Sequence, residues 1–230
     1  TCDVAIELMP DNTFTFYNTW EDLGQGGDIG SLTHIVKALA PMGVKPEQVR
    51  LVMNDSRFCP DSGIAAASRS HYMVGNATID GANKLMAAMK KDDGTWRTYD
   101  EMVAEGRPTK VIGHYDQMNM GIPPGLDPNT GMGEKNAAFM YAVNTCLVEV
   151  DVNTGKTTVL RYHTAADVGT VGNKLALDGQ AYGGLSHSIG FALSEDFSDN
   201  NKHKNMAACG IPNIKDIPDD FTVEYLETPR

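Results

Sequence analysis

Apolar and polar residues alternate on either side of a turn signal at two places in this chain, and that period of two commits it to antiparallel sheet. At the start, Val4-Ala5-Ile6-Glu7-Leu8 and Phe14-Thr15-Phe16-Tyr17 flank Pro10-Asp11-Asn12. Further on, two β-rich segments, 139–152 and 156–164, flank Asn153-Thr154-Gly155, a strong hairpin signal. Between these hairpins the period changes. A glycine-rich turn, Gly24-Gln25-Gly26-Gly27-Asp28-Ile29-Gly30, leads into Leu32, Ile35, Val36 and Leu39 at helical spacing, which Pro41 stops. Val49-Arg50-Leu51-Val52-Met53 returns to strand, and a long helical pattern covers 65–90. Thr98-Tyr99-Asp100-Glu101 is a capping box that opens a short helix to about Glu105. The last helical pattern runs over 179–197, and the tail beyond Gly210 reads as extended and proline-punctuated. Hairpins mixed with helices, without regular alternation, predict an α+β fold in which mixed sheets and hairpins pack with helices. Residues 116–136 are rich in Gly, Pro, Met and Asn and lack periodicity. A loop of that length is usually functional or interfacial, so an internal division is expected near 116–137.

The chain has 230 residues, of which 41% are hydrophobic, enough to bury a core as one large domain or two small ones. A formal charge of −11 and a pI near 4.9 argue against nucleic acid or an anionic membrane as partner, since both bind cationic surfaces. No apolar run approaches the roughly 20 residues needed to span a bilayer, and Thr1-Cys2-Asp3 opens neither a basic nor an apolar leader. A soluble, unsecreted, cytoplasmic protein is the expectation. Cys2, Cys59, Cys146 and Cys209 lie more than fifty residues apart, so no CxxC pair can hold zinc or an iron–sulfur cluster. Buried free thiols are expected instead. No initiator Met opens the chain and Pro229-Arg230 ends it, the look of a piece of a longer product.

Three segments could carry chemistry. In the Gly24 turn, glycines let backbone amides approach an anion or oxo group, and the helix that follows adds favourable partial charge. Its spacing is GxGxxxG rather than the dinucleotide GxGxxG, with no clean βαβ unit or ribose-binding acid, and a plain tight turn is the competing reading. Gln25 can donate to a bound oxygen without adding charge. In Ala65-Ala66-Ala67-Ser68-Arg69-Ser70-His71, small side chains and two hydroxyls open a helix, and free amides with Arg69 as countercharge could cradle a pyrophosphate. A close-packed helix start with an exposed arginine is the alternative. The third segment runs from Asp167-Val168-Gly169-Thr170-Val171-Gly172-Asn173-Lys174 to Gly179-Gln180-Ala181-Tyr182-Gly183-Gly184-Leu185-Ser186-His187-Ser188-Ile189-Gly190. Glycines in a helix cost stability relative to alanine, so a helix or ligand is expected to pack closely there. His187 lacks a nucleophile-elbow context and reads as a packing histidine. No HxxxH or HExxH spacing supports a protein-ligated metal.

Taken in this order and separation, the segments resemble the cofactor region of the molybdenum hydroxylases, the xanthine oxidase family. Tyr99-Asp100-Glu101-Met102-Val103-Ala104-Glu105-Gly106, Gly179-Gln180-Ala181-Tyr182-Gly183-Gly184 and Ile214-Lys215-Asp216-Ile217-Pro218 look like the aldehyde oxidoreductases of sulfate-reducing bacteria within it. The resemblance implies a molybdopterin cytosine dinucleotide with Mo, the metal held by the pterin and not by protein side chains. Gly24, Gln25 and Gly26 would lie at the cofactor with Gln25 beside the molybdenum oxo ligand. Ala67, Ser68, Arg69 and Ser70 would bind pterin and phosphates, and Gln180 and Asn173 would contact the dinucleotide. It further implies aldehyde oxidation to a carboxylate with water as oxygen donor, two [2Fe–2S] clusters in the intact enzyme, the rest of that enzyme as partner, and a homodimer. The family's GxxE base glutamate is expected after Arg230, so no catalytic residue is assigned here and the chain alone is expected to be inactive. Position 23 is leucine, which departs from relatives that make a side-chain contact there. A non-catalytic structural or assembly subunit of a split enzyme, and a nucleotide-binding domain using only the Gly24 turn, are the alternatives.

Overall fold

The computed structural model describes residues 1–66, 68–117, 125–134 and 139–228. The chain forms two compact units, Thr1–Ala137 and Ala138–Arg230. In the first, β1 (Cys2–Leu8) and β2 (Phe14–Asn18) make the expected hairpin, Ala5 opposite Tyr17 and Leu8 opposite Phe14. Its turn is built by Asn12 in the left-handed region and by Asp11 Oδ1, which accepts the Thr13 amide at 3.0 Å. Helix α1 (Gly27–Ala38) then crosses over to β3 (Val49–Met53), which pairs parallel with β2. That is a βαβ crossover, where the glycine spacing predicted none. The sheet order is β3-β2-β1-β4, with β4 (Lys110–Tyr115) antiparallel to β1.

Helix α2 (Arg69–Met89) covers this sheet. Most of its buried positions, Ser70, Met73, Val74, Ala77, Thr78, Gly81, Ala82, Leu85 and Met89, recur at three- and four-residue steps, and its apolar ones share one core with Val4, Ile6 and Phe16. It starts four residues later than the periodicity predicts, because Ser68 takes a left-handed conformation (φ 62°) and residues 61–66 stay irregular. Strand β4 carries no alternation to announce it. Gly113 is its reason: a Cβ there would come 2.1 Å from the Ala77 carbonyl oxygen, so the strand lies directly against α2. Helix α3 (Tyr99–Ala104) has the predicted capping box, with Thr98 Oγ1 accepting from Glu101 N and Glu101 Oε2 accepting from Thr98 N. Between the large elements, β5 (Gly125–Leu126) and β6 (Gly133–Glu134) form a short antiparallel ladder.

The second unit has a three-stranded sheet of order β7-β8-β9 and a helix, α4. β7 (Tyr141–Val150) and β8 (Thr157–Asp167) are the second expected hairpin, interrupted by a register shift at Leu147/Val148. β9 (Asp220–Leu226), from the proline-punctuated tail, pairs parallel with β8. α4 (Lys174–Leu193) begins five residues before the predicted start, because Asn173 caps it by accepting the Ala176 amide at 3.1 Å. Every residue of β7 is exposed, and the buried apolar residues of this unit are Ala166, Leu185, Ile189 and Cys209 among those described. Of the thiols expected to be buried, Cys2 and Cys209 are; Cys59 is half-buried and Cys146 exposed on β7. Among the described residues no helix is long and apolar enough to cross a membrane.

Candidate cofactor-binding site

The Gly24 turn joins β2 to α1, and its backbone amides already hold an anion of their own. Asp22 Oδ1 accepts from Gly24 N at 2.8 Å and Gly26 N at 3.2 Å, while Oδ2 accepts from Asp28 N at 3.1 Å in the first turn of α1. These backbone bonds, that from Gly24 foremost, hold the Asp22 carboxyl below the usual range. A carboxylate therefore occupies the seat in which an independent nucleotide site would put phosphate, which argues against the turn as a stand-alone nucleotide domain. Sequence reading missed this role of Asp22, though an acid two residues before a glycine turn and six before a helical residue is the signal for it.

Gln25 is folded over the same turn. Its Nε2 donates to the Glu21 carbonyl at 2.7 Å and its Oε1 accepts the Leu23 amide at 2.6 Å, leaving one N–H and one lone pair for another partner. Gly26, at φ 86°, caps α1, and Gly27 leaves room for the carboxamide, since a Cβ there would lie 3.1 Å from Gln25 Nε2. Leu23 is 83% exposed. The turn rests on Trp20: a Cβ on Gly30 would meet the indole at 2.6 Å. Trp20 in turn stacks on His34 at 5.7 Å between ring centroids, and His34 lies 4.7 Å from His71.

At the start of α2, Ser68 is exposed in its left-handed turn and Ser70 is buried. Ala67 lies outside the described residues. Arg69 is turned back along the chain, its Nη1 donating to the carbonyls of Ser62 (3.0 Å) and Ile64 (3.2 Å) and its Nη2 to that of Thr1 (2.8 Å). Its charge stays beside the helix start while these hydrogen bonds anchor the preceding segment. Ser62 completes that anchor by exchanging bonds with Thr19 and donating to the Asp3 carbonyl.

On α4, Asn173 is engaged as the cap, and Gln180 is exposed. Added Cβ atoms at Gly179, Gly183 and Gly184 would meet no atom within 4 Å. The glycine-rich face, expected to be closely packed, is thus bare among the described residues of the second unit. His187, expected as a packing histidine, is exposed on the same helix. Gln25, Ser68 and Ser70 belong to the first unit, in which the Trp20, His34 and His71 rings connect their segments; Asn173 and Gln180 belong to the second. Among the described residues no group of three or more His, Cys, Asp or Glu could hold a metal ion.

Comparison with known proteins extends these observations. Residues 1–218 match the model of the molybdopterin cofactor-binding domain. The chain is 42% identical over 224 residues to an aldehyde oxidoreductase of Megalodesulfovibrio gigas, covering 97% of this chain and 24% of that protein. The crystal structure of the aldehyde oxidoreductase from Desulfovibrio desulfuricans superimposes on all of it with a TM-score of 0.91 at 44% identity, over 25% of its own length. Quinoline 2-oxidoreductase from Pseudomonas putida shares the fold at a TM-score of 0.74 and 19% identity, over 100% of this chain and 31% of its own. The chain spans about a quarter of the length of the aldehyde oxidoreductases it matches. With the α+β architecture and the small-residue segments in place, this chain belongs to the molybdopterin cofactor-binding domain family of the molybdenum hydroxylases.

Proposed function

We propose that this chain forms part of the cofactor cradle of an enzyme that oxidises aldehydes to carboxylic acids with water as the oxygen donor. The observation that carries the reading is the bare face of α4. Gly179, Gly183 and Gly184 each weaken a helix by about 0.5–1 kcal/mol relative to alanine, and among the described residues of the second unit no atom lies close enough to gain from it. Gln180 neighbours Gly183 and Gly184 at the i+3 and i+4 helical spacings, so a ligand backed onto the glycines would meet its carboxamide. The donor set fits a molybdopterin. Carboxamides, hydroxyls and backbone amides suit the neutral edge of a pterin and the oxygens of a pyrophosphate, and Arg69 supplies positive charge beside the α2 start.

When bound, the molybdenum centre supplies the two-electron oxidation. The chain's residues bind and orient. Gln25 presents its remaining N–H from a loop held by Asp22, in the region where the oxo ligand is expected. Ser68 and Ser70 are the hydroxyls at the α2 start, and Gln180 with Asn173 serves the dinucleotide end, for which the cytosine form is proposed. Fixed neutral dipoles of this kind stabilise developing charge without reorganising. The proposal extends to two [2Fe–2S] clusters and the GxxE base elsewhere in the intact cytoplasmic protein, to its homodimeric state, and to a small aldehyde as substrate. The 42% identity to an aldehyde oxidoreductase supports the choice of substrate class.

Metal and nucleotide analysis of the full-length protein containing this chain tests the reading, with an aldehyde-dependent dye-reduction assay beside it. Molybdenum and a pterin-bound nucleotide near one per chain, with aldehyde turnover, are expected. Full-length protein carrying neither, after expression in a host that makes the cofactor, would overturn it.

A further inference from the structure

The cofactor-binding segments of the first unit are joined by aromatic rings with no assigned task. Trp20 opens the Gly24 turn; its indole packs against Gly27 and Gly30, where added Cβ atoms would come 3.2 and 2.6 Å from it. It stacks on His34 of α1 at an interplanar angle of 26°. His34 lies 4.7 Å from His71, which directly follows Ser70 in the first turn of α2. Gly75, one turn further along α2, backs onto His34: a Cβ there would come 3.3 Å from the imidazole Cε1. From the Gln25 turn to Ser70 there is thus an unbroken line of packed rings.

From this line we infer that Trp20, His34 and His71 are positioning residues that set the Gln25 turn and the Ser68–Ser70 turn in one mutual arrangement. The inference rests on the reading that both turns hold the cofactor. The polar bonds of each turn are local: Asp22 and Glu21 serve the first, while Arg69 ties the second to Thr1, Ser62 and Ile64. The second set reaches the first only through Ser62, which exchanges bonds with Thr19 ahead of the turn, whereas the rings pack against the turn itself at Gly27 and Gly30. Two imidazolium charges on rings 4.7 Å apart would repel each other, and the surroundings disfavour both. Burial foremost, then His71 and Lys37, bring His34 down to about 4, and burial followed by Lys37 lowers His71, whose outer edge is exposed. Among the described residues His34 Nε2 is buried and has no hydrogen-bond partner, so the ring's contacts there are made by its faces.

The test uses the full-length holoenzyme and separates ring stacking from polarity. His34→Phe keeps an aromatic face and loses the nitrogens; His34→Gln keeps polarity and loses the face. Molybdenum retained per chain is followed over time after gel filtration, well below the melting temperature of each apoprotein, and KM and kcat are measured separately. The expectation is wild-type-like retention for Phe and about tenfold faster loss for Gln, the size of one or two aromatic contacts. Trp20→Leu, which leaves both histidines untouched, should lose molybdenum as Gln does. Equal retention in all variants, or loss in Phe with retention in Gln, would overturn the inference. A wild-type protein with no molybdenum would instead overturn the functional reading on which it rests.

Discussion

The two units bury their residues very differently. In Thr1–Ala137, β1 and β2 are sandwiched by other strands and α2, and Val4, Ile6 and Phe16 are fully buried. In Ala138–Arg230, β7 exposes Tyr141, Val143, Leu147 and Val150, and Phe191 on α4 is 86% exposed. Apolar surface on that scale marks an interface rather than a finished exterior. The first unit owns its core; the second leaves an apolar face uncovered among the described residues.

The largest effect that could break this comparison is a core truncation. Phe16→Ala is expected to cost about 3–5 kcal/mol and to abolish slow amide exchange throughout β1, β2 and β4. Leu147→Ala, on the 54%-exposed side chain of β7, should shift the stability of the separate chain by less than about 0.5 kcal/mol. Hydrogen exchange and urea unfolding measure both. A comparable loss from Leu147→Ala would show that the second unit has a core of its own.

A middle-sized effect is confined to the first unit. His34 has an ordinary value of 6.5 and is brought to about 4, chiefly by burial. Between those values the unfolded chain accepts a proton that the folded unit resists. The contribution is therefore intact above about pH 6.5, is lost as pH falls, and levels off near pH 4. After allowance for partial exposure it amounts to on the order of 2 kcal/mol. Urea unfolding of wild type and His34→Phe at several pH values between 7 and 4 isolates it from the carboxylates, which both share. A slope unchanged by His34→Phe would place the acid sensitivity elsewhere.

The contrast between units also explains what the sequence could show. Both hairpins, α1 and α3 are written in local signals: alternation, turn residues, a capping box. β4 and β9 are not, because their pairing is set by distant partners, Gly113 against α2 and Asp220 opposite Arg161. At the candidate site, the segments around Gln25, Ser68 and Gln180 stand out in the sequence as small residues placed where bulk would be expected. The inward work of Asp22, Arg69 and Asn173 was hidden, since a short side chain at a turn reads the same whether it faces a ligand or its own backbone. The Trp20, His34 and His71 line was equally hidden, being a meeting of three segments rather than a pattern in any of them.

The smallest effect should reverse sign between the chain and the enzyme. Gly183 lies within α4 with no atom within 4 Å of a would-be Cβ, so Gly183→Ala adds helix propensity and meets no clash. In the separate chain it should stabilise α4 by about 0.5–1 kcal/mol, read as slower amide exchange along the helix. In the full-length enzyme the same methyl enters the space assigned to the cofactor, and molybdenum retention should fall. Gly94, in an exposed turn at φ 87°, serves as the opposite control: alanine there strains the backbone and should destabilise the first unit without touching molybdenum. If Gly183→Ala stabilises both forms alike, the bare face of α4 is covered by nothing in the enzyme. The glycines would then be a cost without a ligand, and the observation on which the functional reading stands would be gone.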